Sequence, residues 1–410
     1  MQHFNKIILA DKHHCTGCGA CASSCASKAI TMVRDEEGFL QPFIDIEKCR
    51  ECGLCQKHCP ELNPIARLDY SSQKVYAFIS KEDRRISSSG GAFSVFARWI
   101  LSQGGIVVGA AMDEHFFVSH IVVDSVEKLN LLRGSKYVQS DLNDVFKEVK
   151  KHLLGGQKVL FSGTGCQVAG LYAFLGGKRY EGQLYTLDLI CHGAPSQGAF
   201  DSYIKKLQKK LALTGENIKG FRFRKLDSWS IVPAIKLSES KWRILALSEN
   251  AYMNAFFEGI TFRESCFNCQ YCNTNRIGTF TIADFWGIGR HGMKFQKNVS
   301  SGVSLVIDNQ GNLENLRTEL ENFAYVEERS MSEAIAEQSN LKSPMKRLPK
   351  RDYAVKTLMD PTVSLDKFSK DLGLPYQKTI KWWIGSQIKN LIYAFGLYNV
   401  YKSAIYKLGK

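Results

Sequence analysis

The sequence lacks two features that would direct a chain out of the cytoplasm or into a membrane. Its first residues, Met1 to Lys6, contain no basic segment followed by an apolar stretch of signal-peptide length. It also has no run of about 18 uninterrupted apolar residues, which a membrane-spanning helix needs. We therefore expect a cytoplasmic protein with reduced thiols, in which metal coordination ranks above disulfide formation.

Size and composition exclude a disordered chain and a lone small module. The chain has 410 residues, of which 44% are hydrophobic and 23% are charged, and such values are typical of a soluble protein with a buried core. Two or three domains are expected at this length. The formal net charge is +14, which suits nucleic acid, anionic lipid or anionic cofactors as partners.

Cysteine is abundant and unevenly placed, with eight of the 13 residues between Cys15 and Cys59. These eight form two copies of the C-x2-C-x2-C-x3-C run of bacterial-type ferredoxins, in which the fourth cysteine of each run ligates the other cluster. Zinc, which favours paired C-x2-C motifs separated by a longer loop, fits such tight runs poorly. The predicted 4Fe-4S ligand sets are Cys15, Cys18, Cys21 and Cys59, and Cys25, Cys49, Cys52 and Cys55.

The five later cysteines are less regular. Cys166 and Cys191 each follow a predicted buried strand, whereas Cys266, Cys269 and Cys272 lie close together in the sequence. An isolated cysteine is usually a buried filler. The joint occurrence of all five favours one further cluster with one thiol left over.

Apolar periodicity predicts a mixed α/β layer after the cysteine-rich segment. Strands are predicted at 76–80, 106–110, 116–123, 158–161 and 184–190, and helices at 93–100, at 141–154 and from Ser196. Gly302 to Leu313 is predicted to form a hairpin that turns through Asn309. Because Cys166 and Cys191 come just after strand ends, we expect their loops to line a ligand crevice.

Several polar residues are candidates for binding an anionic cofactor. The loop at 87–91, Ser-Ser-Ser-Gly-Gly, precedes a predicted helix, whose N–H groups suit phosphate, although ordinary helix starts look the same. Lys136 is a candidate for a phosphate-directed cation. Arg222 and Arg224 lie beside aromatic residues, which suits an anionic coenzyme or a solvated strand face. His192 is expected to be a hydrogen-bonded structural histidine.

Six short motifs follow one another along the chain: Ser89-Gly90-Gly91, Gly134-Ser135-Lys136-Tyr137, Gly163-Thr164-Gly165-Cys166-Gln167-Val168-Ala169-Gly170-Leu171, Cys191-His192-Gly193, Cys266-x2-Cys269 and Asp284-Phe285-Trp286-Gly287. In this order they resemble the coenzyme F420 hydrogenase/dehydrogenase beta-subunit family. The resemblance covers about 72–330 and, with the ferredoxin-like segment, most of the chain. One departure is Gly165, where many relatives have proline before the cysteine.

The resemblance implies FAD, a third 4Fe-4S cluster and electron exchange with a substrate such as coenzyme F420. The implied flavin contacts are Ser89, Gly90, Gly91 and Lys136. The implied ligands of the third cluster are Cys166, Cys191, Cys266 and Cys269, with Cys272 as a substitute ligand. No residue is implied as catalytic.

The expected fold is of the α+β or α/β class, with a small bacterial-type ferredoxin domain followed by a mixed α/β flavin-binding iron–sulfur domain. The expected domains are 1–65 for the two-cluster segment, 72–155 and 156–335 for the two parts of the beta-subunit domain, and 336–410 for a basic aromatic extension. Residues 378–410 contain six lysines and no acidic residue. Peripheral membrane or partner contact there is weighed equally against a core-packed terminal helix pair.

These patterns predict an iron–sulfur flavoprotein oxidoreductase that passes electrons between ferredoxin-type clusters, FAD and coenzyme F420 or another hydride acceptor. The alternative is a non-catalytic electron-transfer subunit of a larger redox complex. A zinc-dependent nucleic-acid binder is favoured by charge alone, so no nucleic-acid partner is expected. The expected partner is a redox protein or a small-molecule electron acceptor.

Overall fold

The structure is a computed structural model that describes residues 7–66, 68–213, 218–226, 229–238 and 241–375. The basic aromatic stretch at 378–410, with its predicted lipid or partner contact, lies outside these described residues. Among the helices of the described ranges, none has the length and apolar character needed to cross a bilayer.

Helices and strands alternate along most of the described chain. The helices are α1 Ala20–Ser23, α2 Leu54–Lys57, α3 Ala92–Ser102, α4 Leu129–Leu132, α5 Val145–Leu154, α6 Gly165–Phe174, α7 Gln197–Lys210, α8 Ala251–Phe257, α9 Leu313–Glu321, α10 Met331–Ala336, α11 Arg351–Met359 and α12 Leu365–Asp371. The strands are β1 Ile30–Arg34, β2 Leu40–Ile44, β3 Lys74–Ser80, β4 Ile106–Met112, β5 Val118–Val123, β6 Val159–Thr164, β7 Leu184–Leu189, β8 Gly220–Arg222, β9 Ala234–Lys236, β10 Trp242–Ile244, β11 Phe280–Asp284, β12 Ser304–Asp308 and β13 Ala324–Arg329. Short 3₁₀ turns occur at Arg84–Ile86, Glu264–Asn268 and Ser339–Leu341.

The cysteine-rich segment folds as two similar halves. In each half a glycine follows the second cysteine of the run, so that Gly19 precedes α1 and Gly53 precedes α2, with φ angles of 69° and 73°. Glycine takes this left-handed conformation without strain. Strands β1 and β2 pair antiparallel between the two helices. The repeat in the sequence is therefore also a repeat in the structure.

An eight-stranded mixed sheet forms the body of the protein, in the order β13, β3, β12, β11, β7, β6, β4, β5. Strands β4, β6, β7 and β11 run parallel, and β12 pairs antiparallel with β11. Helix α6 connects β6 to β7, so both strands end at the same edge of the sheet. The five strands predicted in this region all occur, with small differences at their ends. The predicted fold class, with a small ferredoxin-like domain ahead of a larger α/β domain, is confirmed.

The hairpin predicted at 302–313 is wrong. Strand β12 ends at Asp308, and helix α9 begins at Leu313. The Asp308 carboxylate accepts hydrogen bonds from the backbone N–H groups of Gln310, Asn312 and Leu313. These bonds satisfy N–H groups that are otherwise unpaired at a helix start. The turn therefore leads into a helix and not into a second strand.

The described part of the chain after residue 336 belongs to a hydrophobic core. Helices α11 and α12 pack against α7 and bury Ala354, Leu358, Leu365 and Phe368. Phe200 of α7 lies in the same core, which also contains residues of α8 and of the small sheet β8–β9–β10. Residues 351–371 are thus an integral part of the fold.

Gly90 packs so closely against two strands that no side chain fits there. A Cβ atom at this position would lie 2.2 Å from the Phe78 carbonyl oxygen and 2.3 Å from the Ser304 nitrogen. Both are backbone atoms of the sheet, which cannot rotate away. We predict that Gly90→Ala lowers the free energy of unfolding by roughly 1–3 kcal/mol, the usual cost of overpacking. Chemical denaturation measures this change.

Gly155→Ala is the matched control for this prediction. Gly155 has an ordinary φ of −78°, and a Cβ atom there would come no closer than 3.4 Å to any heavy atom beyond its two chain neighbours. Its substitution should change the free energy of unfolding by less than about 0.5 kcal/mol. Equal destabilisation by the two substitutions would contradict the packing argument.

Candidate iron–sulfur centres and cofactor cavity

The first predicted ligand set is gathered into one group of thiols. Burial raises the pKa of Cys18 well above its ordinary value, and the negative charges of Cys21, Cys15 and Cys59 raise it further. Burial, together with the charges of Cys15 and Cys59, also raises the pKa of Cys21 to about 12. Cys59 is the fourth cysteine of the second run, so this group combines three thiols of one run with one of the other, as predicted. Its role as a cluster site stays a prediction.

The second predicted set lies nearer the surface. Burial raises the pKa of Cys55, and the charges of Cys25 and Cys49 add to this effect. Burial acts to raise the pKa of Cys25 too, but hydrogen bonds, among them one from the Ala29 N–H at 3.2 Å, lower it overall. Cys52, the fourth member, is exposed. Cys25, Cys49 and Cys55 are thus brought together, whereas Cys52 is exposed to solvent.

The donor chemistry of both groups fits four-iron clusters. The cysteines are free thiols, and buried thiolates beside one another need a cation to stabilise their charge. Within the described ranges, no group of three or more His, Cys, Asp and Glu side chains is arranged to hold a metal ion. A cubane presents a separate iron to each sulfur and so holds its thiolates further apart than a single ion does.

The later cysteines form a third group at one edge of the main sheet. Cys166 is the second residue of α6, directly after β6, and Cys191 lies two residues beyond the end of β7. The 3₁₀ turn Glu264–Asn268 carries Cys266. Burial raises the pKa of Cys191 well above its ordinary value, and the charges of Cys266, Cys166 and Cys269 raise it further. The four ligands implied by the family resemblance thus lie together.

Cys272 is a fifth thiol beside the third group. It is buried, and its Sγ lies 3.8 Å from the Cys191 carbonyl oxygen, to which it donates. A hydrogen bond with Cys272 is the main cause that raises the pKa of Cys269. The charges that raise the pKa of Cys191 are those of Cys266, Cys166 and Cys269, and Cys272 is not among these main causes, which favours the other four thiols as the ligand set.

A buried ion pair fixes the loop that carries Cys269. Asp188 of β7 is fully buried, and its Oδ1 lies 3.2 Å from Nη2 of Arg276. The other carboxylate oxygen accepts hydrogen bonds from the N–H groups of Ile277 and Gly278, each at 3.1 Å. The cysteine loop is therefore tied to β7, the strand that precedes Cys191.

Helix α6 brings the first thiol group next to the third. Cys166 lies in its first turn, and Gly170 lies one turn later, against Cys18. A Cβ atom on Gly170 would be 3.0 Å from the Cys18 sulfur, so glycine permits this close approach. One helical turn advances the chain by about 5.4 Å. Cys18 therefore lies about one turn along α6 from Cys166.

Packing explains why position 165, where many relatives have proline, is glycine in this chain. A Cβ atom there would lie 2.8 Å from the Cβ of Tyr271. Burial raises the pKa of Tyr271, and the charges of Glu61, Cys166 and Cys18 raise it further. The Tyr271 side chain is thus close to both the first and the third group. Glycine at position 165 leaves room for it.

A cavity of about 500 Å³ lies beside the third group. Its lining comes from distant parts of the chain and includes Ser88, Ser89, Gly91, Lys136, Tyr137, Cys166, Cys191, Arg224, Arg263, Cys266, Cys269, Trp286 and Asn340. Ligand pockets usually have volumes of roughly 300–1,000 Å³. The cavity is therefore large enough for a cofactor and borders the third thiol group directly.

Three of the four implied flavin contacts line this cavity, namely Ser89, Gly91 and Lys136, whereas Gly90 is packed between β3 and β12. The Ser89 hydroxyl donates to the Val303 carbonyl oxygen at 3.0 Å, which leaves its oxygen as an acceptor. The loop at 87–91 leads into α3, as predicted. Gly90 thus supports the loop by packing, and the other three residues border the cavity.

The Lys136 amine lies at the C-terminal end of the short helix α4. Its Nζ donates to the carbonyl oxygens of Leu131, Leu132 and Arg133, at 3.2, 2.8 and 2.9 Å. Burial lowers the pKa of Lys136 to about 7. The protonation of this amine therefore changes with pH in the neutral range. When it is protonated, its positive charge lies beside the cavity and is hydrogen-bonded to carbonyl groups at the end of the helix.

Arg224 is buried, so the alternative prediction that it lies on a solvated strand face is wrong. Its Nη1 and Nη2 donate to the two Asp284 carboxylate oxygens at 2.7 and 3.2 Å. Trp229 donates to the same carboxylate at 2.6 Å and stacks on Trp286, with ring centroids 4.8 Å apart. Local patterning could not predict this pair, because 60 residues separate Arg224 from Asp284.

A second polar network lies at the cavity, and local sequence patterns could not predict it. Burial lowers the pKa of His120 to about 4, so its ring is neutral at pH 7. Its Nε2 lies 2.9 Å from the Ser162 carbonyl oxygen, and its Nδ1 lies 2.9 Å from the Ser140 hydroxyl. The Ser140 oxygen also accepts from Gln167 at 2.9 Å. The bonds fix one tautomer, in which Nε2–H donates and Nδ1 accepts.

His192 has the hydrogen-bonded environment predicted for it. Its Nδ1 lies 3.1 Å from Oδ1 of Asn340, and its ring packs edge-on against Phe262. Nδ2 of Asn340 is buried and has no hydrogen-bond partner in the described part of the chain. Both residues line the cavity, and the amide nitrogen itself is enclosed by protein.

Two family models match the chain. The model of the C-terminal part of the coenzyme F420 hydrogenase/dehydrogenase beta subunit matches residues 156–334, and a 4Fe-4S dicluster domain matches residues 14–62. The chain therefore carries a domain that matches the C-terminal part of the coenzyme F420 hydrogenase/dehydrogenase beta subunit, with a ferredoxin-type dicluster domain ahead of it. The resemblance drawn from its motifs is confirmed.

Three individual proteins are similar to all or part of this chain. The chain is 29% identical over 175 residues to a coenzyme F420-dependent sulfite reductase of Methanocaldococcus jannaschii, which covers 41% of this chain and 26% of that protein. It is 34% identical over 53 residues to an uncharacterised ferredoxin of the same organism, covering 13% of this chain and 68% of that protein. A chain of the F420-reducing NiFe hydrogenase complex from Methanosarcina barkeri is similar, with a TM-score of 0.43, 16% identity, and coverage of 75% of this chain and 94% of that chain. The match thus spans about a quarter of the sulfite reductase. This chain thus combines a ferredoxin-type dicluster domain with a domain related to the beta subunits of coenzyme F420-linked oxidoreductases.

The charges that act on Cys191 predict which cysteines hold the third cluster. Cys191→Ala should remove one cluster, about four irons per chain, because a cubane needs each of its ligands. Cys272→Ala should keep the full iron content, since the main charges on Cys191 come from Cys266, Cys166 and Cys269 and not from Cys272. Iron and acid-labile sulfide analysis after anaerobic reconstitution measures both. Iron loss from the Cys272 variant alone would reverse the assignment.

Proposed function

We propose that this protein is a flavin-dependent iron–sulfur oxidoreductase that binds FAD and exchanges a hydride with coenzyme F420 or another organic acceptor. The observation that carries the proposal is one cavity of about 500 Å³ that touches both the third thiol group and the loop before α3. A cofactor in this cavity would lie against a cluster held by the third group.

The three thiol groups support a path from the surface to the cavity. Cys52 of the second group is exposed, whereas Cys18 of the first group is only 8% exposed. Gly170 brings Cys18 close to α6, whose first turn carries Cys166. Single electrons would therefore enter near Cys52 and leave at the cavity wall.

The cavity offers groups that suit a dinucleotide. The N-terminus of α3 suits a pyrophosphate, because its first N–H groups lack helical partners. Lys136 adds positive charge nearby, and Trp286 offers an aromatic face. The Arg224–Asp284 pair adds polar groups with little net charge. Bound there, FAD would take up single electrons and exchange a hydride with the organic substrate.

The substrate and setting are also part of the proposal. Coenzyme F420 is named both by the matching family model and by the sulfite reductase relative. A redox protein or a small electron acceptor would be the partner in the reaction. The proposal locates the protein in the cytoplasm, where its thiols would stay reduced.

A non-catalytic electron-transfer subunit is the second candidate. The ferredoxin-like segment exposes apolar side chains on the elements beside its cysteines: Phe43, Ile46 and Leu54 are 58%, 60% and 38% exposed. Exposed apolar side chains that cluster mark surfaces for other proteins. In this second function, the chemistry would take place on a partner that covers these residues.

Anaerobic reconstitution of the full chain tests the proposal. We expect about twelve irons and as many acid-labile sulfides per chain from four-iron sites, with FAD bound in equal amount to the chain. The isolated protein should then reduce coenzyme F420 or another hydride acceptor from an artificial electron donor. Full iron content without flavin or turnover would instead support the non-catalytic subunit.

The pKa of Lys136, which burial lowers to about 7, predicts pH-dependent flavin binding. The protonated amine attracts the anionic pyrophosphate, and the neutral amine above this pKa does not. The dissociation constant of FAD should therefore rise roughly tenfold from about pH 6 to about pH 8.5. Flavin fluorescence quenching measures it. Lys136→Met should bind FAD more weakly and without this pH dependence, and a variant that retained the dependence would disprove the assignment.

A further inference from the structure

Arg263 is a buried cation at the boundary between the ferredoxin-like segment and the sheet domain. Its side chain is 2% exposed. Its Nε donates to the Cys15 carbonyl oxygen at 2.6 Å, and its Nη2 donates to that of Leu40 at 2.8 Å. Nη1 donates to Gln139 at 3.0 Å, and Gln139 in turn donates to the Thr16 carbonyl oxygen at 2.7 Å. One guanidinium thus joins both sides of the boundary.

The same guanidinium lies beside two thiol groups. Its Nη2 is 3.7 Å from the sulfur of Cys15, a member of the first group. Burial raises the pKa of Cys166 and of Cys266, and the charge of Arg263 acts in the opposite direction on both. The Arg263 carbonyl oxygen also accepts the N–H of Cys266 at 3.0 Å. Arg263 is therefore the cation that the first and third groups share.

Arg263 differs from other buried arginines in its counter-charge. Across the described ranges, no carboxylate oxygen lies within 4.0 Å of its guanidinium nitrogens. Arg276, by contrast, is paired with Asp188, and Arg351 is paired with Glu37. An unpaired buried charge is costly. Besides backbone and amide oxygens, its guanidinium contacts the Cys15 sulfur, which would carry negative charge as the ligand of a cluster.

We propose that Arg263 is a positioning residue that holds the first iron–sulfur cluster against the third and raises the reduction potentials of both. This inference rests on the proposed iron–sulfur function. A cation beside a cluster stabilises the form that carries the added electron, and so raises its potential. The thiols of the second group, which include the exposed Cys52, have one another and not Arg263 as neighbours. The reduction potential of a cluster held by this group should therefore not depend on Arg263.

Arg351 provides a matched control at the same boundary. It is fully buried, and its Nη1 and Nη2 donate to the two Glu37 carboxylate oxygens at 2.6 and 2.8 Å. Its Nη1 also lies 3.1 Å from Glu264. Arg351 thus also anchors the β1–β2 turn to the sheet domain, but its charge is neutralised by carboxylates.

A redox titration followed by EPR tests the inference on full chains reconstituted without oxygen, with dithionite as the source of electrons. Arg263→Met should lower the equilibrium constant for one-electron reduction of the first and third clusters at least tenfold, a shift of about 59 mV. The potential of the second cluster should not change. Arg263→Lys keeps the charge and should stay near the wild type. Arg351→Met should lower stability and leave all three potentials unchanged.

Unchanged potentials in a fully loaded Arg263→Met protein would overturn the inference and leave the proposed function intact. Equal shifts in Arg351→Met would overturn it as well, because a loosened boundary would then suffice. If Arg263→Met loses its clusters, Arg263→Lys decides: intact clusters with potentials close to the wild type support the inference, and any other result contradicts it. A wild-type protein without acid-labile sulfide would refute the proposed function itself.

Discussion

Thiolates buried side by side need positive charge close to them, and the arrangement of the candidate site follows from this need. Burial and mutual repulsion both raise the pKa of Cys18, Cys21 and Cys191. Iron would supply the charge within each group, and Arg263 supplies it between two of them. Part of the formal net charge of +14 then serves as internal compensation for anionic cofactors, and need not mark a nucleic-acid surface.

The order of the parallel strands determines where the third group assembles. Strands β6, β7 and β11 are neighbours in the sheet and end at one edge, where open α/β sheets bind their ligands. Cys166 and Cys191 follow two of these ends, and the Asp188–Arg276 pair ties the later cysteine loop to them. Gly170 then lets the ferredoxin-like segment approach the same edge. One edge of the sheet thus serves both the thiols and the cavity.

Local patterns predicted the features that local interactions determine. The spacing of the cysteine runs predicted the crossed grouping, and buried apolar runs predicted the central strands with errors only at their ends. The prediction of a hairpin at 302–313 failed because the Asp308 carboxylate accepts hydrogen bonds from N–H groups at the start of a helix there. The periodicity of apolar residues does not reveal such a contact. Contacts between distant residues left no local signal: 248 residues separate Arg263 from Cys15, and the Arg224–Asp284 pair spans two strand regions. Gly90 shows a further limit, since its close packing against Phe78 and Ser304 requires glycine at this position and left no local signal in the sequence.

The central claim is that three groups of thiols hold iron in a series that ends at one cavity. Anomalous diffraction at the iron edge, from crystals grown without oxygen, tests it most directly. The account predicts separate iron peaks at the groups of Cys18, Cys55 and Cys191, with the peak at Cys191 next to the cavity. An ordered Cys191 group without iron, or with scattering at the zinc edge instead, would contradict it.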